Sequence, residues 1–336
     1  MKYKKKILII AEAGINHNGS LKRAKQLIKA AKKSNADYVK FQIFKAENVV
    51  TKNAGKSAYQ KKSLKDKETQ YQMIKKFELP YEGFKILKKE CKKNKIKFLC
   101  SPFDIDSFYY LKKLKQKIIK IPSGEITNYP LIAKIGAMNV KVIMSTGMSN
   151  FKEIANAINL LTQNGTKKKN ISLLHCNTAY PTPFIDVNLP IIKKLKNKFN
   201  VTVGYSDHTL GIEVAIAAVC LGAELIEKHI TLDKNLNGPD HKSSLNPSEF
   251  ASMVKCIRNV EKTIIQSKKL TKPSERGNIK VVRKSLTANL NISKNEIFTE
   301  KNLTTKRPGT GISPMQWQNI IGKKAKKNYV KDDLIK

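Results

Sequence analysis

Short apolar runs rich in β-branched residues, each closing on polar residues, punctuate the first 230 positions. They are ILIIAE (7–12), YVKFQIF (38–44), KFLCS (97–101), KIIKIPS (117–123), VKVIMST (140–146), ISLLHCN (171–177), VTVGYSDH (201–208) and ELIEKH (224–229). Between most of them apolar residues recur at three- and four-residue spacing, as at Leu21, Ala24, Leu27, Ile28 and Ala31, and again at Ile154, Ala157, Ile158 and Leu161. That is the stripe of an amphipathic helix. Strand and helix alternating eight times predict a (β/α)8 TIM barrel of the α/β class. A doubly wound open sheet is the runner-up, but it needs fewer strands and a glycine-rich GxGxxG first turn. The first turn here reads GINHNGS, in which Asn18 or Ser20 caps a helix beginning near Leu21.

The longest connection, about 45–96, follows the second strand and has room for a loop that folds over the barrel mouth. Periodicity is lost in SKKLTKPSERGNIKVV (267–282), where Pro273 and Gly277 read as breakers, and short strand-like pieces with turn signals follow. The expected organisation is a catalytic barrel over 1–267, a linker over 268–282 and a small C-terminal domain over 283–336. So small a domain is marginal alone, and docking on the barrel or on a partner's barrel would explain it.

Composition narrows the function classes. The chain has 336 residues, 40% of them hydrophobic, enough for a large core. No run approaches the roughly 18 apolar residues of a membrane span, and ILIIAEAG after the basic MKYKKK is too short and too soon polar for a signal peptide. A cytoplasmic protein without membrane contact is therefore expected. Five scattered cysteines without a CxxC pair indicate neither a disulfide framework nor a thiolate zinc site. The formal charge of +39 raises nucleic acid as a partner. Yet only five of the 65 basic residues are arginine, and the lysines are spread along the chain, so a solvated lysine-rich surface is the reading preferred and no nucleic-acid partner is expected.

Barrels of this type build their sites from the C-terminal ends of the strands. Here those ends carry Glu12; Lys40 and Gln42; Ser101; Lys120, Ser123 and Glu125; Ser145; Asn177, Thr178 and Tyr180; Ser206 and His208; and Glu227 and His229. Two lysines aimed into a barrel mouth are costly without anions, which implies a phosphorylated or carboxylated substrate. His208 and His229 end consecutive strands, so the register sets them side by side, a pair suited to Mn, Fe, Co, Ni or Zn. Glu12 and Glu125 have two readings, acid/base chemistry or a structural ion pair with Lys40 or Lys120. His17, His175 and His241 read as turn or supporting hydrogen-bonding residues, and Cys100 and Cys176 as packing.

The runs AEAGINHNG, VKFQ, SPFD, KIPSGE, STGM, LLHCNTAYPTP, GYSDHT, EKHITLDKNLNGPDH and TTKRPGTGISPMQW resemble those of the bacterial sialic acid synthase family, the N-acetylneuraminate synthases with their legionaminate and pseudaminate relatives. The resemblance covers about 7–334. It implies a barrel followed by an antifreeze-like (SAF) domain, in a domain-swapped homodimer whose small domains cap the partners' sites. It implies condensation of phosphoenolpyruvate with the open-chain aldehyde of an N-acylated amino sugar, releasing phosphate, with a divalent metal, Mn2+ before Mg2+ or Co2+. His208 and His229 match the metal ligands; Lys40, Ser101, Lys120, Ser123, Ser145 and Ser206 match phosphoenolpyruvate contacts; Glu12, Gln42, Tyr180 and Asp240 match positions that hold or activate the sugar; Arg307 matches an arginine supplied by the partner's small domain. Some relatives carry Asn at the position of Thr178, which leaves open whether Thr178 or Asn177 meets phosphoenolpyruvate. The β2 connection with its AYQ (58–60) is expected to line the sugar pocket.

The chemistry is consistent with this. An enol carbon is a weak nucleophile, so the aldehyde needs a Lewis acid, and lysines and serines convert a collision into an oriented encounter. Glu12, Glu125 or Glu227 could stabilise positive character at carbon 2 and direct water. A lysine Schiff-base aldolase and a polyanion-binding protein are the competing classes. N-acetylmannosamine is the expected acceptor, giving N-acetylneuraminate; the alternative is 2,4-diacetamido-2,4,6-trideoxymannose, giving N,N'-diacetyllegionaminate.

Overall fold

In the computed structural model, residues 6–57, 60–61, 68–264 and 270–336 are described. The chain forms two compact units, Met1–Ile265 and Gln266–Lys336.

Eight parallel strands make up the first unit's sheet: β1 (Leu8–Gly14), β2 (Tyr38–Ile43), β3 (Lys97–Pro102), β4 (Ile118–Ile121), β5 (Lys141–Ser145), β6 (Ile171–His175), β7 (Thr202–Asp207) and β8 (Leu225–His229). Their order, β3-β2-β1-β8-β7-β6-β5-β4, leaves β3 and β4 to meet and close a ring, and across that seam Gln116 Nε2 donates to Phe98 O at 3.1 Å. Helices return the chain between strands, as the right-handed parallel connection requires. This is the expected (β/α)8 barrel. Ser20 caps Leu21–Lys33 by accepting from Arg23 N, while Asn18 turns the chain with φ 48°. Asn150 and Asn246 form capping boxes with Glu153 and Glu249.

Alternation along the strands creates two interiors. Residues facing the helices join the main core, and inward residues form an apolar layer of Ile10, Leu99, Ile143, Leu174 and Leu225. Truncating one of these to alanine would cost about 2–5 kcal/mol. Gly204 belongs to the same level, where a Cβ would fall 2.7 Å from Leu174 Cδ2 and against the Leu225 carbonyl oxygen, so only glycine fits. Two residues further along the strands the inward side chains become Glu12, Lys40, Ser101, Lys120, Ser145, Ser206 and Glu227, all buried. The apolar layer is thus the floor of a polar mouth.

The opposite end is tied by Asp37, whose carboxylate accepts from Lys6 Nζ (2.7 Å), Ile9 N (2.9 Å) and Arg258 Nη2 (2.8 Å). It joins the start of β1 to the last barrel helix, Pro247–Thr263.

In the second unit β9 (Ser285–Ala288) and β10 (Leu303–Lys306) pair antiparallel over a core of Leu286, Ile292, Phe298, Leu303, Tyr329 and Ile335. The segment expected as linker instead carries a helix, Pro273–Val282. Pro273 stands in its first turn, where a missing N–H costs nothing, so it starts the helix rather than breaking the chain.

Candidate active site

A network of lysines and carboxylates occupies the mouth. Lys40 Nζ lies 2.8 Å from Glu12 Oε2 and 3.5 Å from Glu227 Oε1, and Lys120 Nζ lies 3.6 Å from the same Glu227 oxygen. β1, β2 and β8 are neighbours in the sheet, and Glu12 pairs in register with both Lys40 and His229. Hydroxyls complete the lining. Lys120 donates to Ser145 Oγ (2.6 Å), Lys40 to Ser101 Oγ (3.4 Å), Ser206 Oγ to Glu227 Oε1 (3.0 Å), and Gln42 Nε2 to Glu12 Oε1 (3.0 Å). Ser123 Oγ accepts from Gly147 N at 3.0 Å.

Environment divides the two carboxylates. Burial raises Glu12 above the usual range despite Lys40, whereas Lys120 and Lys40 together overcome the burial of Glu227 and hold it below that range. Burial pulls Lys120 down; on Lys40 it is outweighed by Glu12 and Glu227, which raise it. Glu227 Oε2 is buried without a hydrogen-bond partner, an acceptor left open to the mouth.

His208 and His229 stand as their spacing predicts, ring centroids 5.5 Å apart, with Tyr180 4.1 Å from His208 and edge-on to His229 at 5.7 Å. His208 Nδ1 is fixed by Asn177 O at 2.5 Å, and burial lowers the ring's pKa to about 4. Burial also lowers His229 well below its ordinary value, and its buried Nδ1 has no hydrogen-bond partner. Two neutral imidazoles, one held by a second-layer carbonyl and one with an orphaned nitrogen, are a donor set that fits a borderline divalent cation. Among the described residues no group of three His, Cys, Asp or Glu side chains converges as a ready-made cage, so other ligand positions would be left open. Asp240 Oδ2 is 3.9 Å from His229 Nδ1, and burial followed by repulsion from Glu12 pushes its pKa up to about 7.

Other sequence-derived residues are placed differently. Glu125 is half-buried and accepts from Asn128 Nδ2 (2.6 Å) rather than pairing with a lysine. Asn177 sends its Nδ2 to Asp186 O (2.8 Å), whereas Thr178 Cγ2 and Ser123 Oγ both flank Gly147. Arg307 lies in the second unit, its Nε donating to Val282 O at 3.0 Å. His17, His175 and His241 bond to Gly19 N, Val187 O and Thr231 Oγ1, and Cys100 is buried with its thiol pushed up by desolvation. Of the AYQ segment, Ala58 and Tyr59 lie outside the described residues, and Gln60 borders a cavity beside His229. Asp207 and Lys228 were not foreseen: sitting between site residues in SDH and EKH, they look like more of the mouth, but the pleat turns them to the other face.

The NeuB family model matches residues 27–269, and the SAF domain model matches 283–336. The chain belongs to the NeuB family. This NeuB-family chain is 53% identical over 332 residues, 99% of each chain, to the N,N'-diacetyllegionaminic acid synthase of Campylobacter jejuni. It is 32% identical to the human N-acetylneuraminate-9-phosphate synthase, over 97% of this chain and 90% of that one. Among solved structures, the N-acetylneuraminic acid synthetase of Leptospira borgpetersenii matches with TM-score 0.71 and 33% identity, covering 82% of this NeuB-family chain and 90% of its own. It is thus a carbohydrate-biosynthetic enzyme of sialic acid synthase type.

Proposed function

We propose that the protein condenses phosphoenolpyruvate with 2,4-diacetamido-2,4,6-trideoxymannose, forming N,N'-diacetyllegionaminate and phosphate. The observation that carries this choice of acceptor over N-acetylmannosamine is the 53% identity, end to end, with a relative of that named activity. The mouth supports the anionic co-substrate. Lys40 and Lys120 with Ser101, Ser123, Ser145 and Ser206 supply charged and neutral donors for a phosphate and a carboxylate, and the position of Thr178 beside Gly147, which Ser123 also flanks, supports it over Asn177 as a contact.

His208 and His229 would hold a divalent ion, Mn2+ with Mg2+ or Co2+ as alternatives. When bound, it supplies Lewis-acid polarisation of the aldehyde oxygen. The chain's own residues do the rest. Orienting phosphoenolpyruvate against the sugar lets carbon 3 attack the aldehyde carbon, forming the new C–C bond as the enol π electrons leave carbon 2. Glu227, held ionised, faces the positive character at carbon 2, and water adds there before the C–O bond to phosphate breaks. Glu12, raised by burial, is suited to hold a proton near the forming hydroxyl. Arg307 from a second copy of the chain, in a swapped homodimer, would approach the N-acyl group. Phosphate release measured with each sugar at equal concentration tests the reading, and a higher kcat/KM with N-acetylmannosamine overturns it.

A further inference from the structure

Beside His229 a cavity of about 230 Å³ opens, lined by the polar side chains of Gln42, Gln60, Gln70, Tyr180 and Asp240 and elsewhere largely by apolar ones. Phe44, Met73 and Phe103 form that apolar wall, with Ile74 and Val49 packed onto the same cluster. Phe44 meets Phe103 edge to face at 6.3 Å, and Met73 is 1% exposed. The wall is built in advance. Glu78 accepts from Lys45 Nζ (2.7 Å), Ala46 N (3.1 Å) and Lys75 Nζ (3.1 Å), tying the end of β2 to the helices Ala46–Val49 and Gln70–Lys75. A capping box between Thr69 and Gln72 sets the start of the second helix.

The side chains of Phe44, Met73, Phe103, Ile74 and Val49 offer no hydrogen bond to a hydroxyl, while Gln60 and Gln70 at the border of the same cavity offer amide groups. An acceptor presenting hydroxyls to the apolar wall would bury them unpaired, whereas methyl groups would gain from desolvation. The two acceptor candidates differ in this respect: N-acetylmannosamine carries hydroxyls at C4 and C6, and the diacetamido sugar carries at C4 an acetamido group, a polar amide ending in a methyl, and at C6 a methyl. We propose that this cavity receives the methyl-bearing C4–C6 end of the acceptor, and that Met73 and Ile74 set the discrimination against hydroxylated sugars. The inference rests on the diacetamido reading above.

The test is the ratio of kcat/KM for the diacetamido sugar to that for N-acetylmannosamine, in the full-length enzyme with saturating phosphoenolpyruvate and Mn2+. Met73→Gln keeps length but adds polarity, and Ile74→Thr adds a hydroxyl in a shorter β-branched side chain at a half-buried position that carries little folding risk. Met73→Leu is the apolar control. A methyl-sized contact is worth roughly 10- to 200-fold in specificity. The ratio is expected to fall at least about tenfold in Met73→Gln and Ile74→Thr and to stay near wild type in Met73→Leu. A wild type preferring the diacetamido sugar whose ratio is unmoved in Ile74→Thr and in folded Met73→Gln overturns this inference and leaves the activity standing. A wild type preferring N-acetylmannosamine overturns both.

Discussion

Lys228 Nζ lies 2.7 Å from Asp207 Oδ2 with neither side chain exposed, on the outer face of the barrel wall directly behind the two site histidines. The same ammonium donates to Thr209 O (2.6 Å), and Asp207 Oδ1 accepts from both Thr209 N (2.9 Å) and Thr209 Oγ1 (2.7 Å). The pair therefore pins the turn that carries His208. Removing one partner strands a buried charge, so Lys228→Met is expected to lose about 3–5 kcal/mol in urea unfolding. Lys228→Met with Asp207→Leu should recover much of that. If the pinned turn matters, the double variant will still bind Mn2+ more weakly than wild type; equal Mn2+ affinity would reduce the pair to a stability element.

Chelation with EDTA is expected to stop phosphate release, and Mn2+ to restore it. Independently of turnover, a metal at about 100 times its Kd stabilises the folded state by about 2.7 kcal/mol. Thermal melts of wild type should therefore rise with added Mn2+. Those of His208→Asn and His229→Asn should not, and a persistent rise would move the ion elsewhere.

Glu227 faces the two lysines proposed to hold phosphoenolpyruvate and would compete with it for them. Glu227→Gln should lower kcat about 10²-fold, through loss of the negative charge proposed to face carbon 2. It should at the same time lower KM for phosphoenolpyruvate and sharpen inhibition by inorganic phosphate. A raised KM would assign Glu227 to substrate binding instead.

Asp37 makes stability depend on acid. Burial raises its pKa, but the hydrogen bonds from Lys6 and Ile9 and the Arg258 charge outweigh this and set it below the ordinary 3.8. A depressed carboxylate contributes stability above its unfolded pKa and loses it as pH falls through the folded one. Asp37→Asn should thus cost about 1.5–3 kcal/mol at pH 7. In urea melts the difference from wild type should shrink below pH 3.8. A pH-independent difference would mean geometry alone is at stake.

The proposed swapped dimer would make Arg307 testable by mixing. Arg307→Ala and His208→Asn are each expected to be inactive or nearly so. After unfolding and joint refolding, a mixed dimer holds one site with both defects and one with neither, so activity should return. Failure to complement would place Arg307 with its own barrel's site, or outside catalysis.

The barrel was legible in the chain because parallel strands buried on both faces leave continuous apolar runs, and because strand ends fix which polar residues share a mouth. That logic placed Glu12, Lys40, Lys120, Glu227, His208 and His229 together. It was silent on Asp207 and Lys228, which sit one step off the inward register and pair on the other face of the wall. It failed for Pro273, since proline signals a helix start as readily as a break. The long connection after β2 was expected beside the sugar pocket, but its wall residues were not foreseen, because Phe44, Met73 and Phe103 are far apart in sequence and meet only in the folded chain.

The shared oxygen of Glu227 gives the mouth its own internal counter-ion. An arriving phosphoenolpyruvate need not meet two bare ammonium groups, nor does departing phosphate leave them bare. On the proposed reaction the cycle would run as an exchange of anions around two fixed cations. Such an exchange is expected to give up some ground-state affinity and, in return, to speed release of a doubly charged product.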